Sequence, residues 1–318
     1  MAEPLPASDP LPVATQSRFA RFAASDLFYS YRRSPVAIVA SFVAIALILM
    51  AILAPWIAPY DPFNPATLNL MDGNTPPGAD SYSGNVYLLG TDNQGRDVLS
   101  TIMYGARVSL FVGFSATLFA MALGVSLGLI AGYVGGIADA AIMRVADVQL
   151  SFPAILIALL IFGIARGLIP PSQQQDAATW VLILAIGLAN WAQFARTVRG
   201  ASMVERQKDY VAAAHITGVN PIIILFRHVM PNVTGPVLVI GTIGLALAII
   251  EEATLSYLGV GVPPTQPSLG TLIRIGQQFM FSGEWWILLF PAIGLVSLAL
   301  SVNLLGDWLR DALNPKLR

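Results

Sequence analysis

The stretch YVAAAHITGVNPIIILFRHVMPN, residues 210–232, decides how this chain is read. Residues 203–216 favour a helix, with a polar first half and then Ala212, Ala213 and Ala214, which make its surface smooth and narrow. Gly218 suits the left-handed position just past a helix end. Asn220 fits an N-cap and Pro221 the first position of a second helix, because Pro brings no N–H to satisfy there. That second helix, residues 221–229, is short and apolar, and Pro231 marks its passage into an oily segment. The stretch is a polar, broken elbow between membrane-length apolar runs.

Those runs set the fold class. Of the 318 residues, 56% are hydrophobic and 11% charged, against roughly 25% charge in a soluble domain. A spanning helix needs about 20 mostly apolar residues. Six windows free of Asp, Glu, Lys and Arg qualify: 34–60, 108–138, 148–165, 177–195, 228–250 and 285–306. The third is short, and its helix is expected to begin earlier, near Ala140. A further uncharged window, 253–273, holds too many Pro and Gly residues for lipid-exposed backbone and is read as a loop. The expectation is an all-α membrane protein with six transmembrane helices. With the N-terminus inside, thirteen Lys and Arg fall on the inner side and four, Arg96, Arg107, Arg166 and Arg274, on the outer side. That asymmetry places both termini in the cytoplasm. The division is a cytoplasmic tail 1–33, a first span 34–60, an outer loop 61–106, a five-helix core 107–310 containing the elbow 196–231, and a cytoplasmic tail 311–318.

Within the outer loop, residues 90–95 are turn chemistry. Asp97 is a plausible N-cap for a short amphipathic helix lying on the outer surface, with Val98, Leu99, Ile102 and Met103 on one face. Gly124, Gly128, Gly132 and Gly136 recur at spacing four and form a smooth stripe on the second span, for internal packing or for a moving interface. Glu251 and Glu252 end the fifth span. They are interfacial and solvated, or with Ser256 they line the outer mouth of a pathway. Trp285 and Trp286 read as an aromatic belt pair. Asn190 and the Ser and Thr residues of the spans are expected to hydrogen-bond neighbouring helices.

Inventory removes most chemistry. There are no cysteines, so no disulfide, thiolate nucleophile or iron–sulfur cluster. The only lysines, Lys208 and Lys316, lie in no phosphate-cradling pattern. His215 and His228 have no partner at ligand spacing, so no metal site is expected. No acidic residue falls in mid-span of the apolar windows. The net charge is -1, and both ends of the elbow are tied to the bilayer, so nucleic acid is not an expected partner. A machine part or a passage remains.

The spacing of Ala212–Ala214, Gly218 and Pro231 resembles the coupling-loop signature of permease subunits of binding-protein-dependent ABC importers. LGTDNQGRDVLSTIMYGARVSL (89–110), GGIADAAIMRVADVQLSFPAILIAL (135–159), FRHVMPN (226–232) and LSYLGVGVPPTQPSLG (255–270) resemble the dipeptide/oligopeptide/nickel subfamily, specifically its second permease subunit. The similarity runs from about Ser34 to the C-terminus. It implies a type I ABC importer permease fold in a bacterial inner membrane, paired with a homologous permease around a pseudo-two-fold axis. It also implies two ATPase subunits that bind the ATP and magnesium, a periplasmic or lipid-anchored solute-binding protein, and no cofactor in this chain. Short peptides are the substrate most often implied, with nickel chelates, opines and small glycans as others. The coupling set is then Tyr210, Ala212, Ala213, Ala214, Gly218, Asn220, Pro221, Arg227 and Pro231. One position departs: the family's Glu falls on Ala212, so any bond that carboxylate makes is absent or comes from a neighbour such as Glu205 or Asp209. The rival reading is a self-contained homo-oligomeric channel or secondary transporter, which calls for ion-coupling residues in mid-span.

Overall fold

The computed structural model describes residues 26–64 and 68–313, and most of the expected N-terminal tail lies outside them. Its helices are α1 (Asp26–Arg33), α2 (Pro35–Ile52), α3 (Ala54–Ile57), α4 (Val98–Val134), α5 (Gly136–Leu150), α6 (Ala154–Leu168), α7 (Gln174–Arg206), α8 (Asp209–Ile216), α9 (Pro221–Ile224), α10 (Met230–Tyr257), α11 (Leu269–Phe279) and α12 (Trp286–Leu313). Residues 26–33 of the expected tail are therefore helical, and Tyr31 packs edge-on against Trp308 near the end of α12.

Five runs are long and apolar enough to cross a membrane: Pro35–Ile52, Val98–Val134, Pro171–Arg206, Pro221–Tyr257 and Trp286–Leu313. A sixth is not one straight helix. α5 and α6 meet at 97° across residues 151–153, which corrects the single helix expected from Ala140 to Ala165. The cause is local: Pro153 has no N–H, disfavours the α conformation in Phe152, and starts α6 afresh.

The bundle is built on α4 against α7. A methyl added to Gly124 would lie 2.5 Å from the Trp191 carbonyl oxygen, and one on Gly128 2.5 Å from that of Ala195. On Gly132 it would lie 2.7 Å from that of Arg199. Only glycine lets the two backbones come this close. Gly136 does not continue the stripe. It has φ +60°, meets nothing within 4 Å, and stands at the turn into α5. On this face α5 is tied to α7 by Arg199–Asp139 and Arg196–Asp147 pairs and by Gln149, which donates to the Leu188 carbonyl at 2.7 Å.

At the opposite end, Asp97 caps α4 as expected, accepting from the Ser100 N–H at 2.9 Å. The short surface helix is corrected: it is the first turns of α4, unbroken for 37 residues. The loop before it is folded on itself. Asp72 is fully buried and accepts from the Ser83 N–H at 2.9 Å, the Ser83 hydroxyl and the Tyr87 hydroxyl. Burial by itself would raise the Asp72 carboxyl, but the Ser83 and Tyr87 donors outweigh it and hold the group below the usual carboxylate range. Trp286 Nε1 donates to the Thr91 carbonyl at 3.1 Å and is 6% exposed, so only Trp285 is an exposed ring of the expected belt pair. The window 253–273 is a loop only in part: α10 extends through Tyr257, and α11 begins at Leu269 with Ser268 as its cap.

Candidate functional site

The elbow is where sequence and structure meet most closely. After Arg206 the chain breaks for Gln207 and Lys208, then forms α8. This shortens the helix expected over 203–216, because residues 203–206 belong to α7. Gly218 sits at φ +75°. Its N–H donates to His215 O at 3.1 Å, and the Val219 N–H donates to Ala214 O at 3.1 Å. That paired closure needs a left-handed residue, which glycine supplies without a Cβ clash. The Asn220 side chain accepts from the Ile222 N–H at 2.9 Å, and Pro221 opens α9.

Pro231 does not break the chain. α9 passes through a widened turn, Leu225–Val229, whose last carbonyl bond runs from the Met230 N–H to Leu225 O, and then into α10 without interruption. A widened turn shifts the carbonyl pattern ahead of a residue that has no N–H. Asn232 Nδ2 donates to His228 O at 2.7 Å.

Tyr210 joins the pieces. Its hydroxyl donates to Glu205 Oε2 at the end of α7 and accepts from Asn232 Nδ2 at 3.0 Å at the start of α10. Its ring stacks on His228. Burial, then the hydrogen bond to the Glu205 carboxylate, pushes the Tyr210 phenol above its usual range, so it remains a protonated donor. Glu205 also holds Lys208 Nζ at 2.6 Å. The carboxylate missing at Ala212 therefore has a substitute on α7, whereas Asp209 makes no such link to Tyr210. On the other side, Tyr133 at the end of α4 stacks on His215 and lies 3.2 Å from its Nε2. A Tyr210→Phe variant is expected to loosen the elbow by about 1 kcal/mol, read as faster amide hydrogen exchange across residues 209–232. Unchanged exchange there would remove Tyr210 from this role.

The three alanines divide. Ala212 and Ala213 are exposed, while Ala214 faces inward at 8% exposure beside Val211. Val211, Ala214, Ile224 and Val229 share one core with Leu129 of α4, Val198 of α7, and Val233 and Val237 of α10. Arg227 is exposed. Around the two outward alanines stand Ile216 at 87% exposure, Ile222 at 65% and Phe226 at 59%. That apolar rim escaped the sequence reading, because Ile and Phe beside a span look like span. Asn232 and Tyr133 escaped it too, since no spacing rule links positions so far apart.

The second candidate group is only partly together. Glu252 is fully buried, accepting from the Ser109 hydroxyl at 2.6 Å and the Ser256 hydroxyl at 2.7 Å, and Ser256 is 1% exposed. Neither lines a surface of this chain, which corrects the pathway expectation for both. They instead pin α10 to α4, and Ser109 also accepts from the Leu269 N–H at 3.3 Å. Glu251 stays at the edge, half-buried, with Asn190 Nδ2 donating to it at 2.7 Å. Because α10 runs on to Tyr257, both carboxyls lie inside a helix and not at its end, so the expected absence of acids within the spans is corrected.

Comparison with known proteins supplies the class. Residues 124–318 match the family described as binding-protein-dependent transport system inner membrane component. Residues 24–77 match the N-terminal TM domain of oligopeptide transport permease C. The chain is 37% identical to the dipeptide transport system permease protein DppC of Haemophilus influenzae, over 92% of this chain and 95% of the relative. It is 36% identical to the di/tripeptide transport system permease protein DppC of Pseudomonas aeruginosa, over 86% and 85%. It is 35% identical to the oligopeptide transport system permease protein OppC of Bacillus subtilis, over 92% and 90%. This chain belongs to the binding-protein-dependent transport permease family. It is a multi-pass inner-membrane permease of the ABC transporter class, with the helices described above as its spans.

Proposed function

We propose that this chain forms half of the translocation pathway of an ATP-driven importer of di- or oligopeptides. In this reading a homologous permease completes the pathway, two ATPase subunits hydrolyse ATP with magnesium, and a solute-binding protein delivers the peptide. The elbow α8–α9 is the coupling element. The observation that carries this is the exposed pair Ala212 and Ala213, ringed by Ile216, Ile222 and Phe226 and mounted on a core shared with three spans. Small side chains let another protein approach the backbone, and the apolar rim gives it area to bury. A push on α8 then moves α4, α7 and α10 together, since packed interiors switch between discrete arrangements more readily than they deform. The names of the relatives support a peptide as the substrate.

The test is affinity purification of the tagged chain from its native membrane in mild detergent. Two ATPase subunits and a second permease are expected in the eluate, and a homo-oligomer alone would refute the reading. The proposed orientation places the elbow in the cytoplasm and residues 68–97 outside. The chain is free of native cysteine, so Asn85→Cys is expected to react with an impermeant maleimide in intact spheroplasts, and Thr217→Cys only after lysis. Both positions are exposed. Labelling of both before lysis would overturn the topology.

A further inference from the structure

A cavity of about 260 Å³ opens at the end of the bundle away from the elbow. Its walls come from the end of α6, the start of α7, residues 259–264 and α11. Two guanidinium side chains line it, Arg166 and Arg274, and no Asp or Glu does. Neither arginine is paired with a carboxylate among the described residues.

Both cations are positioned. Arg166 Nε donates to Gln174 Oε1 at 3.2 Å, and Gln174 Nε2 in turn donates to Arg166 O and Ile169 O, each at 3.1 Å. The Pro170–Pro171 turn brings Gln174 back onto the end of α6. Arg274 Nη1 lies against Gly259, where a methyl group would collide with it. Gly259 holds φ +82°, so that segment of the loop passes over the arginine as bare backbone. Gly261 turns just as tightly over Ser256. The rim is thus kept free of side chains in front of the guanidinium.

We propose that this cavity binds a carboxylate, the C-terminal carboxylate of the incoming peptide. The inference rests on the reading of the chain as a peptide permease. Guanidinium groups match a carboxylate by paired, charge-assisted hydrogen bonds. The volume lies just below the range of about 300–1,000 Å³ for whole small-molecule sites, so it suits one end of a peptide and not a long one throughout. The C-terminal carboxylate is common to free peptides whatever their side chains. A site that reads it accepts many sequences and rejects capped ones. In the proposed orientation the cavity faces the side of delivery, where two unpaired cations also draw anions inward.

The experiment uses the complete importer complex in nanodiscs, without the binding protein, titrated with alanyl-alanine or with its C-terminal amide and read by saturation-transfer NMR. The free acid is expected to bind, and the amide to bind about tenfold more weakly or worse, the effect of losing charged hydrogen bonds. Arg274→Gln and Arg166→Gln are each expected to weaken the acid about tenfold and leave the amide unchanged. Arg274→Lys is expected to fall between, and co-purification of the partner subunits verifies that each variant is assembled. Equal binding of acid and amide, binding of neither, or unchanged binding in both Gln variants would overturn the proposal. So would variants that lose docking of the binding protein while binding alanyl-alanine normally, since the cavity would then take a carboxylate of a protein. Wild-type import of alanyl-alanine by both Gln variants refutes this inference and leaves the permease reading intact. No dipeptide import by the unaltered complex refutes the reading beneath it.

Discussion

An Ala213→Arg variant is expected to lose transport by about a hundredfold or more while still inserting, assembling its own bundle and leaving basal ATP hydrolysis in the complex. Ala213 is exposed in this chain, so the larger side chain displaces nothing inside it. Its cost falls entirely on what docks there. An unpaired charge buried in an interface costs about 3–5 kcal/mol, which is a factor of roughly one hundred to several thousand in docking. The same substitution at Ala214 would be uninformative, because Ala214 points into the shared core and the variant would misfold. The measurement is uptake against ATP turnover in proteoliposomes. Transport near the unaltered rate would separate α8 from coupling altogether.

The second large effect is expected at Gly128. A Cβ there would stand 2.5 Å from Ala195 O and 2.8 Å from Val198 Cβ. The obstacle is backbone, which cannot rotate aside. Overpacking of this kind costs about 1–3 kcal/mol for modest additions and more where nothing yields, and Gly128→Leu adds a whole side chain. The variant is expected to aggregate on extraction or to unfold well below the unaltered chain in a thermal assay. Gly200→Leu is the control. It lies on the partner helix α7, meets nothing within 4 Å, and is expected to change stability by no more than about 0.5 kcal/mol. Equal stability of the two variants would mean that the α4–α7 contact is looser than its geometry.

Local rules explain why the elbow was legible in advance. Gly218, Asn220 and Pro221 each answer to their immediate neighbours, and helix-end chemistry acts within a few residues. Apolar length likewise reveals spans, and the glycine spacing on α4 reveals a close neighbour without naming it. The failures share a cause. Charge-free windows end at the first acid, so α10 was cut short at Ile250, although Ser109 and Ser256 satisfy Glu252 inside the bundle. Trp286 looked like a belt residue because nothing nearby in sequence shows that Thr91 accepts its N–H. The bend at residues 151–153 was hidden by the apolar runs on both sides. The arginine-lined cavity draws on segments about a hundred residues apart, from Phe162 to Arg274, and only folding brings them together.

α4 has a consequence beyond packing. At about 1.5 Å per residue its 37 residues make a rod of some 55 Å, against a hydrocarbon core of about 30 Å. Its two ends therefore stand clear of the oil on both sides. One end holds Tyr133 against His215 of the elbow, and the other carries Ser100, which donates to the cap Asp97 at 2.6 Å and accepts from the Tyr60 N–H at 3.2 Å. A rod that does not shorten reports a tilt at one surface as an opposite swing at the other. The membrane acts as its fulcrum, and a displacement of the elbow arrives undiminished where peptide would enter.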